Sequence, residues 1–421
     1  MWELIRLNRR KSMVLFFFMG LALLVLGYFV GFAFFPEGGG ALGLVFAFLI
    51  WVILSLISYF NGDSILLAAS KAKEVTPDVH PQLYNIVEEM KIASNMPVMP
   101  KVYIIPEEAP NAFATGRKPE KCAVAVTAGL LSRLNRNELQ GVIAHEVSHI
   151  VNRDILFMTF AGILLGSIVL ISHIFLRGMF YSSLSGRRYS SNRSSGGGQA
   201  QAIVMIVAIV LAILAPIMAQ LLYFAISRKR EYLADASAVR LTRYPEGLAS
   251  ALEKISNNTK ELASANKVTA PMYIANPLKK KGKKLSNLTS THPPINERVK
   301  ILRNISQGAN FHNYQDAYSK ITNSSSTIIP ASGLKDTENI SIRKADKEKP
   351  DKKSRKKGMR DVGDLMMKMN QYAFLACACG LKLKIPPDFK RKEVACPKCS
   401  RKHEVPMAEL AAAGVLADKI K

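Results

Sequence analysis

Four long stretches of this sequence contain no lysine, arginine, aspartate or glutamate. They cover residues 14–35, 41–60, 155–176 and 203–226. A helix of about 20 apolar residues crosses the roughly 30 Å hydrocarbon core of a bilayer. Charge-free runs of this length argue against buried helices of a large soluble protein and predict four transmembrane helices. The first run has no small-residue cleavage site before the second begins, so we expect a retained anchor rather than a secretory signal.

Cysteine is scarce, with five residues in the chain. Cys122 stands alone, whereas the others lie together near the end, at Cys377, Cys379, Cys396 and Cys399. Four clustered cysteines, in a segment expected on the reducing side of the membrane, predict a metal site rather than disulfides. The pattern Cys-x-Cys followed by Cys-x-x-Cys, with glycine and proline in the turns, is similar to a zinc ribbon holding a structural zinc ion. His403 is a weaker alternative ligand.

Acidic residues are outnumbered, with 32 Asp and Glu against 57 Lys and Arg and a net charge of +25. Basic clusters precede the first run, at residues 6–11, and follow the fourth, at residues 228–230. The positive-inside tendency places both ends in the cytoplasm. The loop after the third run also carries arginines, at Arg177, Arg187, Arg188 and Arg193. A re-entrant third and fourth pair therefore stays open as an alternative topology.

A pentapeptide before the third run carries the candidate chemistry: His145-Glu146-Val147-Ser148-His149. Residues four apart share one face of a helix, so both imidazoles can bind one cation while the Glu146 carboxylate reaches the same side. Asn135 and Glu138 predict a capping box at the start of this helix. The alternative is an amphipathic helix whose histidines only satisfy polar neighbours.

A hydrolytic zinc site usually has a third protein ligand besides two histidines. Glu231, directly after the fourth run, is the best candidate. Asp235 lies one turn further on the same helix face and can receive a ring N–H from a ligating histidine. The alternative is a solvated acidic pair that balances the basic residues 228–230. Two spans separate His149 from Glu231, so both return to the same side of the membrane.

These groups predict hydrolysis of a peptide bond. Zinc lowers the pKa of a bound water to about 7. Glu146 is placed to take the proton of that water and pass it to the leaving amine. His292 and Arg298 are the candidate donors for stabilising the oxyanion.

Four separated motifs make residues 1–303 resemble the HtpX family of membrane zinc metallopeptidases, which are relatives of the CAAX prenyl peptidases. They are Asn111-Ala112-Phe113-Ala114-x-Gly116, the HExxH pentapeptide, Glu231-x-x-x-Asp235 and Thr291-His292-Pro293-Pro294. The resemblance implies that His145, His149 and Glu231 bind zinc, that Glu146 is the general base and that Asp235 orients a ligand.

The resemblance also implies a mode of substrate binding. Asn111, Ala112 and Phe113 would form an edge strand that pairs with an extended substrate, and His292 would assist near the transition state. The resemblance further implies a quality-control endopeptidase that cuts misfolded or damaged membrane proteins on the cytoplasmic side. We therefore expect protein substrates, a lipid environment and no small-molecule substrate.

The predicted architecture is a mainly α integral membrane protein with an α+β zincin-type metallopeptidase domain and a small C-terminal zinc ribbon. Residues 81–93 have helical spacing, and residues 101–105 and 123–127 read as strands. The expected domains are two membrane helices (1–60), a peptidase domain interrupted by spans 155–176 and 203–226 (61–305), a basic disordered linker (306–360) and a ribbon-like domain (361–421).

The role of the C-terminal region stays open. The basic run at residues 352–357 can attract nucleic acid, attract anionic lipid or keep the linker in solution. The alternative function is therefore a membrane-tethered binding module whose ribbon docks nucleic acid or a protein partner, and a third is an inactive scaffold. The leading prediction is a zinc endopeptidase of the inner or plasma membrane, with its active site and C-terminus in the cytoplasm.

Overall fold

The computed structural model of the protein describes residues 2–35, 37–184, 198–258, 262, 273–275, 292–305, 308–335, 340–344, 355–370 and 372–407. The helices are α1 (Trp2–Phe34), α2 (Gly39–Ala69), α3 (Pro81–Ala93), α4 (Ala128–Arg133), α5 (Arg136–Val151), α6 (Ile155–Leu184), α7 (Gly198–Thr242), α8 (Pro245–Ser256), α9 (Ile295–Arg303), α10 (Phe311–Thr322), α11 (Ala331–Leu334) and α12 (Arg355–Met369). The strands are β1 (Lys73–Glu74), β2 (Lys101–Ile105), β3 (Ala112–Lys118), β4 (Lys121–Thr127), β5 (Ala373–Ala376), β6 (Lys382–Ile385), β7 (Glu393–Ala395) and β8 (Lys402–Glu404).

Four helices of the described chain are long and apolar enough to cross a membrane, which confirms the prediction from the charge-free runs. The apolar segments are Ile5–Phe34 in α1, Gly39–Ala69 in α2, Leu164–Tyr181 in α6 and Ala202–Leu221 in α7. Many of their large apolar side chains face outward, as residues in contact with lipid tails would. A separate core of α1, α6 and α7 side chains fills the centre of the bundle.

The polar ends of three of these helices meet on one side of the bundle. The Arg230 guanidinium donates from Nη2 to Ser12 Oγ at 2.7 Å and from Nη1 to the Asp154 carbonyl at 3.3 Å. Ser12 precedes the first charge-free run, Asp154 precedes the third and Arg230 follows the fourth. The soluble domain therefore joins the bundle on the side where the first and third charge-free runs begin and the fourth run ends.

Glycines set the separation of α1 and α2. The Gly27/Gly31 pair of α1 faces the Gly39/Gly43 pair of α2, and each pair is spaced four residues apart. A Cβ built on Gly43 would lie 2.2 Å from the Gly27 carbonyl oxygen, and one built on Gly31 would lie 2.2 Å from the Gly39 oxygen. Small residues at this spacing let two membrane helices approach closely and pack by van der Waals contact.

The soluble domain is built on a four-stranded sheet of order β1-β2-β4-β3. β2 and β4 are parallel, whereas β3 is antiparallel to β4 and lies at the edge. Helix α5 packs against β3 and β4. Asn135 and Glu138 form the predicted capping box at the start of α5, which satisfies backbone N–H groups that a helix terminus leaves free. The sheet and α5 thus place the HExxH face next to an edge strand.

The structure differs from the linker predicted at residues 306–360. Helix α10 buries Phe311, Tyr314 and Tyr318 in the main core, and the Arg343 N–H donates to the Arg243 carbonyl at 2.7 Å. The polar composition of the segment concealed this packing. Three large side chains at positions i, i+3 and i+7 suffice to dock one amphipathic helix on an existing core.

The C-terminal region forms two small hairpins, β5–β6 and β7–β8, around a core of its own. Helix α12 connects this unit to the main domain, since Val362 and Leu365 are buried in the main core while Asp364 pairs with Lys382 and Lys384 of β6. Residues 361–370 therefore contribute to the packing of the main domain as well. Residues 408–421 of the predicted module lie outside the described residues.

The glycine contact between α1 and α2 gives a stability test. We expect Gly43→Ala to destabilise the protein in detergent by about 1–3 kcal/mol, because the new methyl group must displace the Gly27 backbone. The matched control is Gly178→Ala in α6, where a Cβ would meet no atom within 4 Å. Thermal unfolding followed by circular dichroism measures both variants. Equal melting temperatures for the two variants would contradict close glycine packing.

Candidate metal centre

Three candidate ligands converge between α5 and α7. His149 Nε2 lies 3.2 Å from His145 Nε2 and 3.4 Å from Glu231 Oε1, and His145 Nε2 lies 3.6 Å from Glu231 Oε2. A tetrahedral zinc ion with N and O ligands at about 2.0–2.1 Å separates those ligands by about 3.3 Å. The spacing and chemistry of the three side chains therefore fit one zinc ion.

Two carboxylates orient the histidines toward that point. Asp235 Oδ1 lies 2.9 Å from His145 Nδ1, and Asp154 Oδ2 lies 3.2 Å from His149 Nδ1. A carboxylate on Nδ1 fixes the ring and the tautomer, which leaves Nε2 free to bind a metal ion. Sequence reasoning predicted this contact for Asp235 but missed Asp154. The available signal was an acidic residue in the short connection between the HExxH helix and the third span, directly before that span.

Arg298 is fully buried behind the carboxylates. Its guanidinium donates to both Asp235 oxygens, from Nε at 2.8 Å and Nη2 at 2.7 Å, and lies 3.4 Å from Glu231 Oε2. Sequence reasoning considered Arg298 as an oxyanion donor. Its actual position pairs it with the carboxylates of α7, because two buried negative charges require a nearby cation.

The ionisable groups of the site shift one another's pKa values. Burial would raise the pKa of Glu231, but His292, His145 and His149 hold it well below its usual value. Burial lowers the pKa of His292 to about 4 against the opposing effect of Glu231. His292 Nε2 lies 3.8 Å from Glu231 Oε2. A neutral imidazole that can donate a hydrogen bond at pH 7 therefore stands beside the candidate ligand set.

Glu146 has the surroundings of a proton acceptor. Burial raises the pKa of its carboxyl group, while the neighbouring His145 and His149 oppose the shift. Its Oε1 is buried and has no hydrogen-bond partner among the described residues. A buried polar atom without a partner is costly, and its position beside the histidines fits a water molecule activated there. The unpartnered oxygen of Glu146 and the three converging ligand atoms therefore fit a water molecule bound to a metal ion.

The predicted substrate strand lies beside this centre. β3 begins at Ala112, Asn111 precedes it, and Asn111, Ala112 and Phe113 are all buried. Part of the chain's own backbone pairs with its start: the Ile274 N–H donates to the Ala112 carbonyl at 2.9 Å. The Asn111 side chain donates to the Ala275 carbonyl at 2.9 Å. The ring of Tyr273 packs edge-to-face on Phe113 at 5.2 Å. Residues 273–275 therefore cover the first part of the edge.

The C-terminal cysteines form a second candidate centre. Cys377 Sγ lies 3.4 Å from Cys399 Sγ, and Cys379 Sγ lies 3.6 Å from Cys396 Sγ. A disulfide bond would need about 2.05 Å, whereas four thiolates at about 2.3 Å from a tetrahedral zinc ion are separated by about 3.8 Å. Burial opposes ionisation of Cys396, but the backbone N–H groups of Lys398 and Cys399 lower its pKa to about 6. The geometry and the acidic thiol both favour metal binding.

Comparison with known proteins gives consistent results. The model described as peptidase family M48 matches residues 77–306. A protein from Dictyoglomus thermophilum named "Protease HtpX homolog" is 45% identical over 302 residues, covering 72% of this chain and 94% of its own. A protein of the same name from Listeria monocytogenes serotype 4b is 45% identical over 307 residues, covering 72% of this chain and 100% of its own.

A solved structure is also similar to the chain. The crystal structure of S. mikatae Ste24p has 21% sequence identity and a TM-score of 0.39, with 72% of this chain and 67% of that chain covered. The family match ends at residue 306, so the α10 segment and the cysteine hairpins lie beyond it.

The Arg298 network gives a test of the site's construction. We expect Arg298→Met to lower the free energy of unfolding by about 3–5 kcal/mol, because it leaves the buried Asp235 carboxylate without its cation. The double variant Asp235→Asn/Arg298→Met should recover part of the loss. Chemical denaturation of the wild type, the Arg298→Met and Asp235→Asn single variants and the double variant measures the coupling, and strictly additive effects would exclude the pairing.

Proposed function

Because the chain belongs to peptidase family M48, we propose that it acts as a membrane zinc endopeptidase of protein quality control. It would hydrolyse peptide bonds in misfolded or damaged membrane proteins at the cytoplasmic side of the inner or plasma membrane. One observation carries the proposal. Two histidines of α5 and one glutamate of α7 converge at zinc-binding distances, with a buried carboxylate beside them.

The roles of the residues follow from their positions. His145, His149 and Glu231 would bind a catalytic zinc ion, which lowers the pKa of a water molecule to about 7 and polarises the scissile carbonyl. Glu146 would remove the proton of that water and deliver it to the leaving amine. Asp235 and Asp154 would hold the histidine rings. His292, neutral at pH 7 because burial lowers its pKa to about 4, would donate to the developing oxyanion.

The edge strand supports binding of an extended substrate backbone. The Ala112 carbonyl accepts a hydrogen bond from the Ile274 N–H. The Asn111 side chain donates to the Ala275 carbonyl and accepts from the Ala275 N–H. An extended peptide that adds a strand to a sheet uses the same backbone groups. In the closed state the segment at residues 273–275 occupies part of the edge, so substrate must displace it or bind beyond it.

The position of the site supports a membrane substrate. His149 lies five residues from Asp154, and Ile155 begins the third membrane helix directly afterwards. Glu231 follows the basic end of the fourth. The cleavage chemistry would therefore take place where polypeptide leaves the lipid, within reach of segments extracted from a damaged membrane protein. The basic clusters on this side support a cytoplasmic orientation.

The cysteine cluster would bind a second, structural zinc ion. Closed Cys₄ sites of this kind contribute folding energy rather than catalysis. The exposed residues Lys390, Arg391 and Lys392 next to it support a contact with anionic lipid or nucleic acid. The basic run at 352–357 begins outside the described residues.

Replacement of Glu146 tests the mechanism. We expect Glu146→Gln to lower kcat by about 10²–10⁴-fold, because the amide cannot accept the proton of the water. Cleavage of an unfolded membrane protein by the reconstituted full chain measures the effect. Zinc content should stay unchanged, and Glu88→Gln at an exposed position of α3 is the matched control. Full activity of the Glu146 variant would refute the proposed base.

Metal analysis tests the two centres separately. We expect two zinc ions in the purified full chain, falling to one in Glu231→Ala and to one in Cys396→Ser. Cys122→Ser is the matched control, since Cys122 lies alone, and it should retain both ions. Atomic emission spectroscopy provides the count. Loss of both ions from either variant would show that the centres do not fold independently, and no loss from Glu231→Ala would contradict the ligand assignment.

A further inference from the structure

A cavity of about 560 Å³ lies where the soluble domain meets the membrane bundle. Three elements form it: the end of the apolar part of α2, the tip of the β3–β4 hairpin and the connection between α5 and α6. The aromatic residues Tyr59 and Phe60 form one wall. The charged residues are Arg117, Lys118, Glu120, Lys121 and Arg153. This cavity is separate from the candidate metal centre, whose residues do not line it.

The chain positions fix the level of this cavity relative to a bilayer. Tyr59 and Phe60 end the charge-free run at 41–60, and Arg153 lies two residues before the run at 155–176. Both runs therefore leave the hydrocarbon at the cavity. Aromatic and basic side chains are the residues that concentrate at the headgroup level of membrane proteins. The cavity thus faces the layer in which lipid phosphates lie.

The charge of the cavity is strongly positive. Four cations face one carboxylate, and none of the four forms an ion pair with a carboxylate in the part of the chain that the structure describes. The Arg117 guanidinium lies over the rings of Tyr59 and Phe60, at 5.4 and 5.8 Å from their centroids. These cation–π contacts orient the guanidinium without neutralising it. The uncompensated positive charge of this cluster would attract an anionic group.

An apolar track leads from the membrane to this cluster. Leu49, Ile53, Leu56 and Phe60 of α2 are all exposed, and their spacing places them on one helix face. Phe60 also lines the cavity. An acyl chain lying on this face would bring its headgroup to the four cations. A soluble anion would pair with the cations but would make no contact with this apolar face of α2.

We propose that this cavity binds the phosphate headgroup of an anionic phospholipid, with an acyl chain along the exposed face of α2. Arg117 and Lys118 end the edge strand β3, and Lys121 begins β4. A headgroup bound here holds the tip of the hairpin at the membrane surface. The lipid therefore fixes the depth of the strand that begins beside the candidate metal centre at Ala112.

Lipid retention by the full-length protein tests the proposal. Delipidated protein is incubated with phosphatidylglycerol or phosphatidylcholine, and bound lipid is counted by native mass spectrometry. We expect selective retention of phosphatidylglycerol. In Arg117→Gln/Lys118→Gln/Lys121→Gln, retention should fall at least about tenfold, because each basic residue near an anionic headgroup adds to its binding. The charge-keeping variant Lys118→Arg/Lys121→Arg should retain the lipid.

A matched control separates local binding from net charge. Lys91→Gln/Lys300→Gln/Lys320→Gln removes three charges from α3, α9 and α10 and should leave retention unchanged. Zinc content and thermal unfolding show that each variant folds. Equal retention by the Arg117 triple variant and the control would overturn the proposal, as would equal retention of phosphatidylcholine. Displacement of the lipid by millimolar glycerol phosphate would assign the cavity to soluble phosphates instead.

Discussion

The Asp235 carboxylate joins the three helices that build the candidate metal centre. It contacts His145 Nδ1 of α5 at 2.9 Å and accepts two hydrogen bonds from Arg298 of α9, while its own backbone belongs to α7. Burial would raise its pKa, but Arg298 and His145 lower it. A buried carboxylate held between two donors stays charged and fixed in place. The orientation of the His145 ring therefore depends on this one group.

The same helices connect the site to the lipid. α7 is continuous from Gly198 to Thr242, so it carries both a membrane span and the Glu231 carboxylate. α5 ends at Val151, and Asp154, which holds His149, stands directly before the span in α6. Because α7 is helical without interruption from Pro216 to Glu231, the depth of the fourth span sets the position of this candidate ligand. The enzyme's chemistry is thereby tied to the membrane surface.

The site is closed as well as assembled. His145, Glu146, Glu231 and His292 are all buried, and residues 273–275 pair with the start of the edge strand. Exclusion of water strengthens each charge interaction in the centre. A substrate backbone that pairs with the start of this strand would have to displace residues 273–275 or bind beyond them.

Local patterns predicted a large part of this structure. The helix at residues 81–93 and the strand at residues 101–105 have the bounds that spacing indicated, and the capping box of α5 formed as Asn135 and Glu138 indicated. The linker prediction over residues 306–360 failed at α10. Composition reports the average polarity of a segment, but docking depends on a few side chains such as Tyr314 and on a core already present to receive them.

The amino-acid sequence by itself determined the four membrane helices and the two ligand helices, because charge-free length and helical spacing are properties of contiguous residues. It also limited the third ligand to a carboxylate near the end of a span. Only the tertiary structure decided that Asp154 holds His149, that Arg298 lies behind Asp235, and that the hairpin tip meets the end of α2. Those contacts join residues far apart or on different elements, and their geometry depends on how the helices and the sheet pack.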